Sequence, residues 1–251
     1  MNMLTISFIV FACIFGGALL GILLHHLLPD DQLKADSKDV VRLCMGLVAT
    51  TVALVLGLLV GSAKSFYDTQ NTEVTQFAAN MVLLDRILAH YGPESAEARA
   101  ALPNATTHMI EVIGPSSDSN KTDSQNGSLR GEALLEKIQA LSPQDDNQRS
   151  LRQQASNVAI QLGQIRWLMY EQSKIPFPTL LLVMLVFWLT ALFVSFGVYA
   201  PSNYSVLTSL FISALAVSGS IYLILEMYHP STGLIRVSDA PLRSALSFLG
   251  Q

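Results

Sequence analysis

The sequence predicts an all-α integral membrane protein with four membrane-spanning helices and a helical insert between the second and third spans. Three observations predict this class. Of the 251 residues, 51% are hydrophobic and only 14% are charged, below the ~25% charged residues of soluble domains. The mean hydropathy is positive, at +0.41. Four apolar runs are each long enough to cross a hydrocarbon core of ~30 Å, which takes about 20 helical residues, and they cover residues 4–28, 40–63, 179–199 and 205–228.

The first run, residues 4–28, is expected to remain as a span rather than to be removed as a signal peptide. No basic residue precedes it, and it is longer than the roughly 7 to 15 residues of a signal-peptide core. Gly17 and Gly21 are spaced as GxxxG, which permits close approach of a second helix. Because the following link is short, the sequence predicts a hairpin of two spans within residues 1–63 and a second hairpin within residues 179–229.

The second apolar run continues, without proline or a turn signal, into polar and amphipathic sequence as far as Tyr91. The sequence therefore predicts one helix from residue 40 to residue 91, roughly 75 Å long at ~1.5 Å per residue, which leaves the membrane and continues into water. The membrane half carries small and hydroxylated residues, which indicate either tight helix packing or a pore lining with room for ions or water. These residues are Gly46, Thr50, Thr51, Gly57 and Gly61.

Residues 64–178 form the predicted insert, which contains 13 acidic and 10 basic residues. This near balance of charge argues against a nucleic acid partner. Two apolar stripes with alternating spacings of three and four residues predict helices that pair as an antiparallel stalk. Residues 114–131 are rich in Ser, Asn, Asp and Gly and are expected to form a flexible loop. The stripes consist of Val74, Phe77, Met81, Leu84, Leu88 and Tyr91, and of Leu151, Ala155, Val158, Leu162, Ile165 and Met169.

The fourth run carries a carboxylate, Glu226, in its last turn. An ionisable group at membrane depth is costly and is therefore a functional candidate. The alternative is an interfacial carboxylate that is solvated or paired with Arg236. Residues 230–251 then predict a short amphipathic helix, which either lies along the membrane surface or docks on the stalk.

Four spans place the N-terminus, the insert and the C-terminus on one side of the membrane. That side carries more of the basic residues close to the membrane, so the positive-inside rule favours a cytoplasmic location for it. The basic residues on that side are Lys64, Arg166, Lys174, Arg236 and Arg243, against Lys34, Lys38 and Arg42 on the other.

Three segments of the chain resemble a bacterial membrane protein family with a bestrophin-like domain, in the same order around the same four spans. The segments are AKSFYDTQNTEVTQFAANMVLLDRILAHYGPESAEAR, SFGVYAPSN and LILEMYHPSTGLIRVSDAPLRSALSFLG. The resemblance implies kinship with bestrophins, which are oligomeric anion channels with four membrane helices per subunit, a cytosolic helical part and a pore lined by the second helix. It also implies location in the bacterial inner membrane. Bestrophin pores narrow at a neck of bulky apolar and aromatic residues, whereas the second span here has no aromatic residue before Phe66.

The residues and the resemblance together predict an oligomeric ion channel whose pore is lined mainly by the second helix. The expected partners are the lipid bilayer, further copies of the chain, and ions. Carboxylates near the mouth would favour cations, whereas Lys64 and Arg42 would attract anions, so the sign of the ion stays open. The pore-lining candidates are Gly46, Thr50, Thr51, Val55, Leu58 and Gly61, and the candidate charges at the inner mouth are Lys64, Asp68, Glu73, Glu226 and Arg236.

The alternative hypothesis is a non-conducting membrane scaffold or sensor whose insert binds a partner through the heptad stripes. An enzyme is not expected, because the insert has no nucleophile, base and acid in a catalytic arrangement and no phosphate-binding loop. No cofactor or metal is expected either, because Cys13 and Cys44 belong to no CxxC motif or Cys/His cluster.

Overall fold

The computed structural model describes residues 3–27, 35–113, 131–173, 177–200, 203–228 and 235–250, and every regular element in these ranges is helical. Four of the helices are long and apolar enough to cross a membrane, judged by length and composition. The prediction of an all-α protein with four candidate spans is therefore confirmed. The predicted loop at 114–131 lies outside the described residues except for Gly131, and Leu28, Lys34 and Lys174 also lie outside them.

The described helices follow one another along the chain in the order given below. Helix α2 is by far the longest, with 57 residues. A 3-10 turn, Pro93–Ser95, separates it from α3. The helices are α1 Met3–Leu27, α2 Ala35–Tyr91, α3 Ala96–Ile113, α4 at 131–139, α5 Asp146–Ser173, α6 Thr179–Tyr199, α7 Tyr204–Met227 and α8 Ala240–Phe248.

Helix α2 ends where the sequence supplies a glycine followed by a proline. Gly92 has φ of 125°, a left-handed conformation that residues with a Cβ rarely adopt. The hydroxyl of Ser95, in the next turn, donates hydrogen bonds to the carbonyls of Leu88 and Gly92. Because Ser95 is fully buried, its hydroxyl gives a partner to the carbonyl of Leu88, which the end of the helix would otherwise leave unpaired.

The chain divides into two compact units. The membrane unit comprises Met1–Phe66 and Pro176–Tyr228, and the insert unit comprises Tyr67–Ile175 and His229–Gln251. The apolar first half of α2 therefore belongs to the membrane unit and its polar second half to the insert unit.

In the membrane unit, α1 packs closely against α6 and also contacts α7. A Cβ added at Gly21 would overlap the carbonyl of Val194, and one added at Gly197 would overlap the carbonyl of Ala18. Only glycine at these two positions allows the backbones of α1 and α6 to approach so closely. The GxxxG pair Gly17 and Gly21 thus marks a helix crossing within the chain.

In the insert unit, both predicted stripes point into one hydrophobic core, which α3, α4 and α8 complete. Leu242 and Ala245 of α8 are buried in this core, so the C-terminal helix docks on the insert unit. Most stripe residues of α2 and α5 are buried, and Leu151 and Met169 are partly buried against the same core. The heptad seams are therefore used to hold the unit itself together.

Candidate functional site

The apolar half of α2 is the most exposed of the four candidate spans. Only 11% of the residues in its apolar window are buried, against 28% to 33% in the other three spans. One edge of this half packs into the core of the membrane unit through Val52, Leu59 and Ala63. The opposite side is open, and Leu58 on it is 71% exposed.

Small residues are concentrated on the open side. At about 100° per residue, Gly46, Thr50, Gly57 and Gly61 fall within a sector of about 60° around the helix axis. A Cβ added at any of these three glycines would meet no atom within 4 Å outside the helix itself. This distinguishes them from Gly21, whose missing side chain is replaced by another helix.

The open side of α2 contains five of the six pore-lining candidates. Gly46, Thr50, Thr51, Leu58 and Gly61 are all exposed. The hydroxyls of the two threonines donate to the carbonyl of Leu47 at 2.8 and 3.0 Å, which leaves their oxygen lone pairs available to accept hydrogen bonds.

The sixth candidate, Val55, faces inward, whereas Gly46 lies at the border of the open side. Val55 is half-buried and packs against the core of the membrane unit. Gly46 lines a groove shared with α6 and α7.

Glu226 lies inside the membrane unit, with only 4% of its surface exposed. The hydroxyl of Tyr222, one turn earlier on α7, hydrogen-bonds to its carboxylate. Two residues further along the chain, Tyr228 joins the end of α7 to α2, because its hydroxyl lies 2.9 Å from that of Ser62 and its ring stacks on Phe66. Burial of Glu226 rules out the solvated interfacial carboxylate considered from the sequence.

Glu73, in the insert unit, is also buried, with 9% of its surface exposed. The side-chain amide of Gln172 donates to its Oε1 at 2.6 Å. Burial raises the pKa of this carboxyl, while the hydrogen bond from Gln172 acts in the opposite direction and is the smaller effect. Its Oε2 and the Oε1 of Gln172 are buried without a hydrogen-bond partner among the described residues.

The remaining charged candidates are at the surface. Lys64 and Asp68 lie on α2 and are exposed, as is Arg236 in the segment before α8. The backbone carbonyl of Arg236 accepts a hydrogen bond from the hydroxyl of Tyr67 at 3.0 Å.

Tyr222 and Gln172 were not among the sequence candidates, although each contacts one of the buried carboxylates. Tyr222 could have been found, because it precedes Glu226 by four residues and therefore shares its helix face. Gln172 has no such signal, since 99 residues separate it from Glu73.

With this geometry in place, the chain was compared with known proteins. A family model, the Bestrophin-like domain, matches residues 12–242. The chain belongs to the Bestrophin-like domain family. This confirms the resemblance seen in the sequence. The match spans every candidate residue named above, so in this Bestrophin-like protein the open side of α2 and both buried carboxylates belong to the family domain. No curated protein and no solved structure matches the chain.

Proposed function

We propose that this Bestrophin-like protein assembles with copies of itself into an ion channel, and that the open side of α2 lines the path. The family supports this class of function. The single observation that carries the proposal is the open side of α2, where glycines and threonines lie uncovered within a membrane-spanning stretch.

A lipid-facing helix surface gains nothing from glycine, because a missing side chain only brings polar backbone closer to hydrocarbon. The same small residues are useful where helices from several subunits surround an axis, since they leave room for water and ions. Threonine hydroxyls that already donate to the backbone still offer acceptor lone pairs to such a path. A closed ring of subunits places one surface from each copy around a common axis.

The exposed charges near the ends of this half of α2 have both signs. Asp39 and Arg42 lie at its start, with 3.8 Å between their nearest charged atoms, and Lys64 and Asp68 follow its end. Glu73 and Glu226 are buried and do not belong to this exposed set. The proposal therefore covers small ions of either sign, and the reversal potential in a salt gradient assigns the sign. We place the insert and both termini in the cytoplasm of a bacterial cell, on the distribution of basic residues.

Cysteine accessibility tests the proposed lining. Cys13 and Cys44 are both exposed, so they are first replaced by alanine. Thr51→Cys is then compared with Leu215→Cys, a matched position that is also exposed and near the middle of α7. In liposomes that carry an ion flux, a charged, membrane-impermeant thiol reagent is expected to modify the thiol introduced by Thr51→Cys and to change the flux, because that position faces water.

The control at position 215 is expected to stay unmodified, because it faces lipid or packed protein. Equal modification by the thiol reagent at the two positions would contradict the proposal that α2 lines the ion path. A strict monomer by mass in detergent, or the absence of any ion flux with correctly folded protein, would contradict the channel itself.

The scaffold alternative loses part of its support, because the heptad stripes are buried in the insert unit. One observation still favours it, namely an exposed apolar strip on α5 formed by Ile160, Trp167 and Leu168. Replacing Trp167 and Leu168 together by serine separates the two functions. A channel keeps its flux after this change, whereas a scaffold with this binding face loses its partner.

A further inference from the structure

An open groove lies within the membrane unit where α2 begins, α6 ends and α7 begins. Its volume is about 660 Å³, within the ~300–1,000 Å³ typical of small-molecule sites. Most of its wall is apolar. The groove is lined by Val41, Arg42, Met45, Gly46 and Ala49 of α2, by Ser195, Phe196, Tyr199 and Ala200 at the end of α6, and by Ser205, Val206, Ser209, Leu210 and Ser213 of α7.

The ends of three spans fix the depth of this groove. Tyr199 ends α6 and Tyr204 begins α7, so the groove lies where one span ends and the next begins. Arg42 lies within the first residues of the apolar run of α2. Ends of membrane spans lie near the headgroups. From Arg42 to Ala49 and from Tyr204 to Ser213 the helices rise roughly 10 and 13 Å at ~1.5 Å per residue, so the groove extends from headgroup level into the hydrocarbon.

The wall combines one charged residue with hydroxyl-bearing and apolar residues. Arg42 is the charged side chain among the lining residues, and its planar guanidinium matches the oxygens of a phosphate. Its neighbour Asp39 lies 3.8 Å away, and both side chains are well exposed, which makes this a weak surface pair. Four serines and Tyr199 are distributed along the wall, and Met45 and Leu210 contribute to its larger apolar part.

We propose that this groove binds a phospholipid, with the phosphate on Arg42 and one acyl chain along the apolar wall. A free anion would use Arg42 but would gain nothing from Met45 and Leu210. On α2, Arg42 and Ala49 flank the buried edge, whereas Thr51 and Leu58 lie on the other side of the helix, so Gly46 is the lining residue that the groove shares with the open side. The proposal stands whether or not the protein conducts ions.

Native mass spectrometry of the full-length protein, reconstituted with phosphatidylglycerol vesicles and extracted in mild detergent, measures the copy number and the retained phospholipid together. Gly46→Phe fills the groove, since a Cβ there meets no atom within 4 Å, and is expected to abolish retention. Arg42→Gln is expected to lower retention about fivefold, the factor that one arginine near a membrane surface contributes. Gly219→Phe on α7 and Arg243→Gln in an exposed pair on α8, both outside the groove, are matched controls and are expected to retain lipid like the unmodified protein.

Ser213→Leu fills the groove from α7 and gives a second test if Gly46→Phe does not fold. Retention unchanged in whichever filled variant folds would overturn the proposal. So would a filled variant that loses copies but keeps its lipid, because the groove would then be an interface between subunits. Displacement of phosphatidylglycerol by inorganic phosphate, with no effect of filling, would reduce the site to an anion site and also overturn it.

Discussion

The buried carboxyl of Glu73 makes the stability of the protein depend on pH. Glu73 lies on α2 beyond the apolar half of that helix, and within the described part of the chain its carboxylate accepts a hydrogen bond from Gln172. Burial raises its pKa above the ordinary value in the folded state. The folded protein therefore binds a proton that the unfolded chain releases, over the interval between the unfolded and the folded pKa. Through that interval stability falls as pH rises, and it is greatest below the unfolded pKa.

Glu73→Gln removes this titration while keeping the shape of the side chain. Above its folded pKa, Glu73 is a buried carboxylate with one oxygen unpaired among the described residues, opposite a side-chain amide whose oxygen is also unpaired among them. The new amide donates a hydrogen bond where the carboxylate only accepts, so it pairs with Oε1 of Gln172. Leaving a buried polar group unpaired costs about 1 to 3 kcal/mol, so the variant is expected to be more stable by about this amount at pH 8 and nearly equal at pH 4.

Thermal melts of the full chain in detergent across this pH range measure the effect. A gain of 1 kcal/mol corresponds to about 2–4 °C in Tm for a chain of this size. Glu111→Gln removes one exposed carboxylate from α3 and serves as the control, with no expected change in the pH dependence of Tm. The reasoning is refuted if Glu73→Gln and the unmodified protein show the same pH dependence, or if the variant melts at a lower temperature at pH 8.

Two further changes test the packing that positions α2 and α1. Arg99→Leu leaves the carboxylate of Asp85, which is 1% exposed and held by two bonds of 2.9 and 3.1 Å, without its partner. This change is expected to lower the free energy of unfolding, measured by thermal melts, by about 3–5 kcal/mol. Arg149→Leu, in an exposed ion pair, is the control and is expected to lower it by at most about 1 kcal/mol. Gly197→Leu is expected to separate α1 from α6 and to prevent accumulation of folded protein in the membrane. Gly219→Leu on the exposed side of α7 should leave expression unchanged, and equal loss in both would argue against a close crossing.

The elements of the fold could be predicted because their signals are local. An apolar run of sufficient length identifies a span without any knowledge of its neighbours, and stripes at alternating spacings of three and four residues identify the packed faces of α2 and α5. The start of α2 was predicted less accurately. The helix begins at Ala35, whereas the apolar run that predicted it begins at Val40.

The candidate site was less predictable, because it depends on rotation about a helix axis and on partners far along the chain. The sequence pattern places Thr50, Val55 and Leu58 in one span without distinguishing their orientations. In the structure Val55 packs inward, whereas the other two face outward. The hydrogen-bond donor to Glu73, Gln172, likewise lies on another helix. Neither fact follows from spacing along α2, because tertiary packing decides both.

The two GxxxG motifs have the same spacing but different surroundings, and this difference bears on how copies of the chain assemble. Gly17 and Gly21 are covered within the chain by α6, so their spacing is explained by one crossing. Gly57 and Gly61 have the same spacing on an equally apolar helix, but nothing within the described chain covers them. Hydrocarbon chains of lipids contact leucine side chains favourably, whereas an uncovered glycine exposes polar backbone groups to them. A surface of small residues that one copy leaves uncovered therefore favours further copies over lipid as its cover, and a closed ring of copies would place this surface around the axis where a path for ions would run.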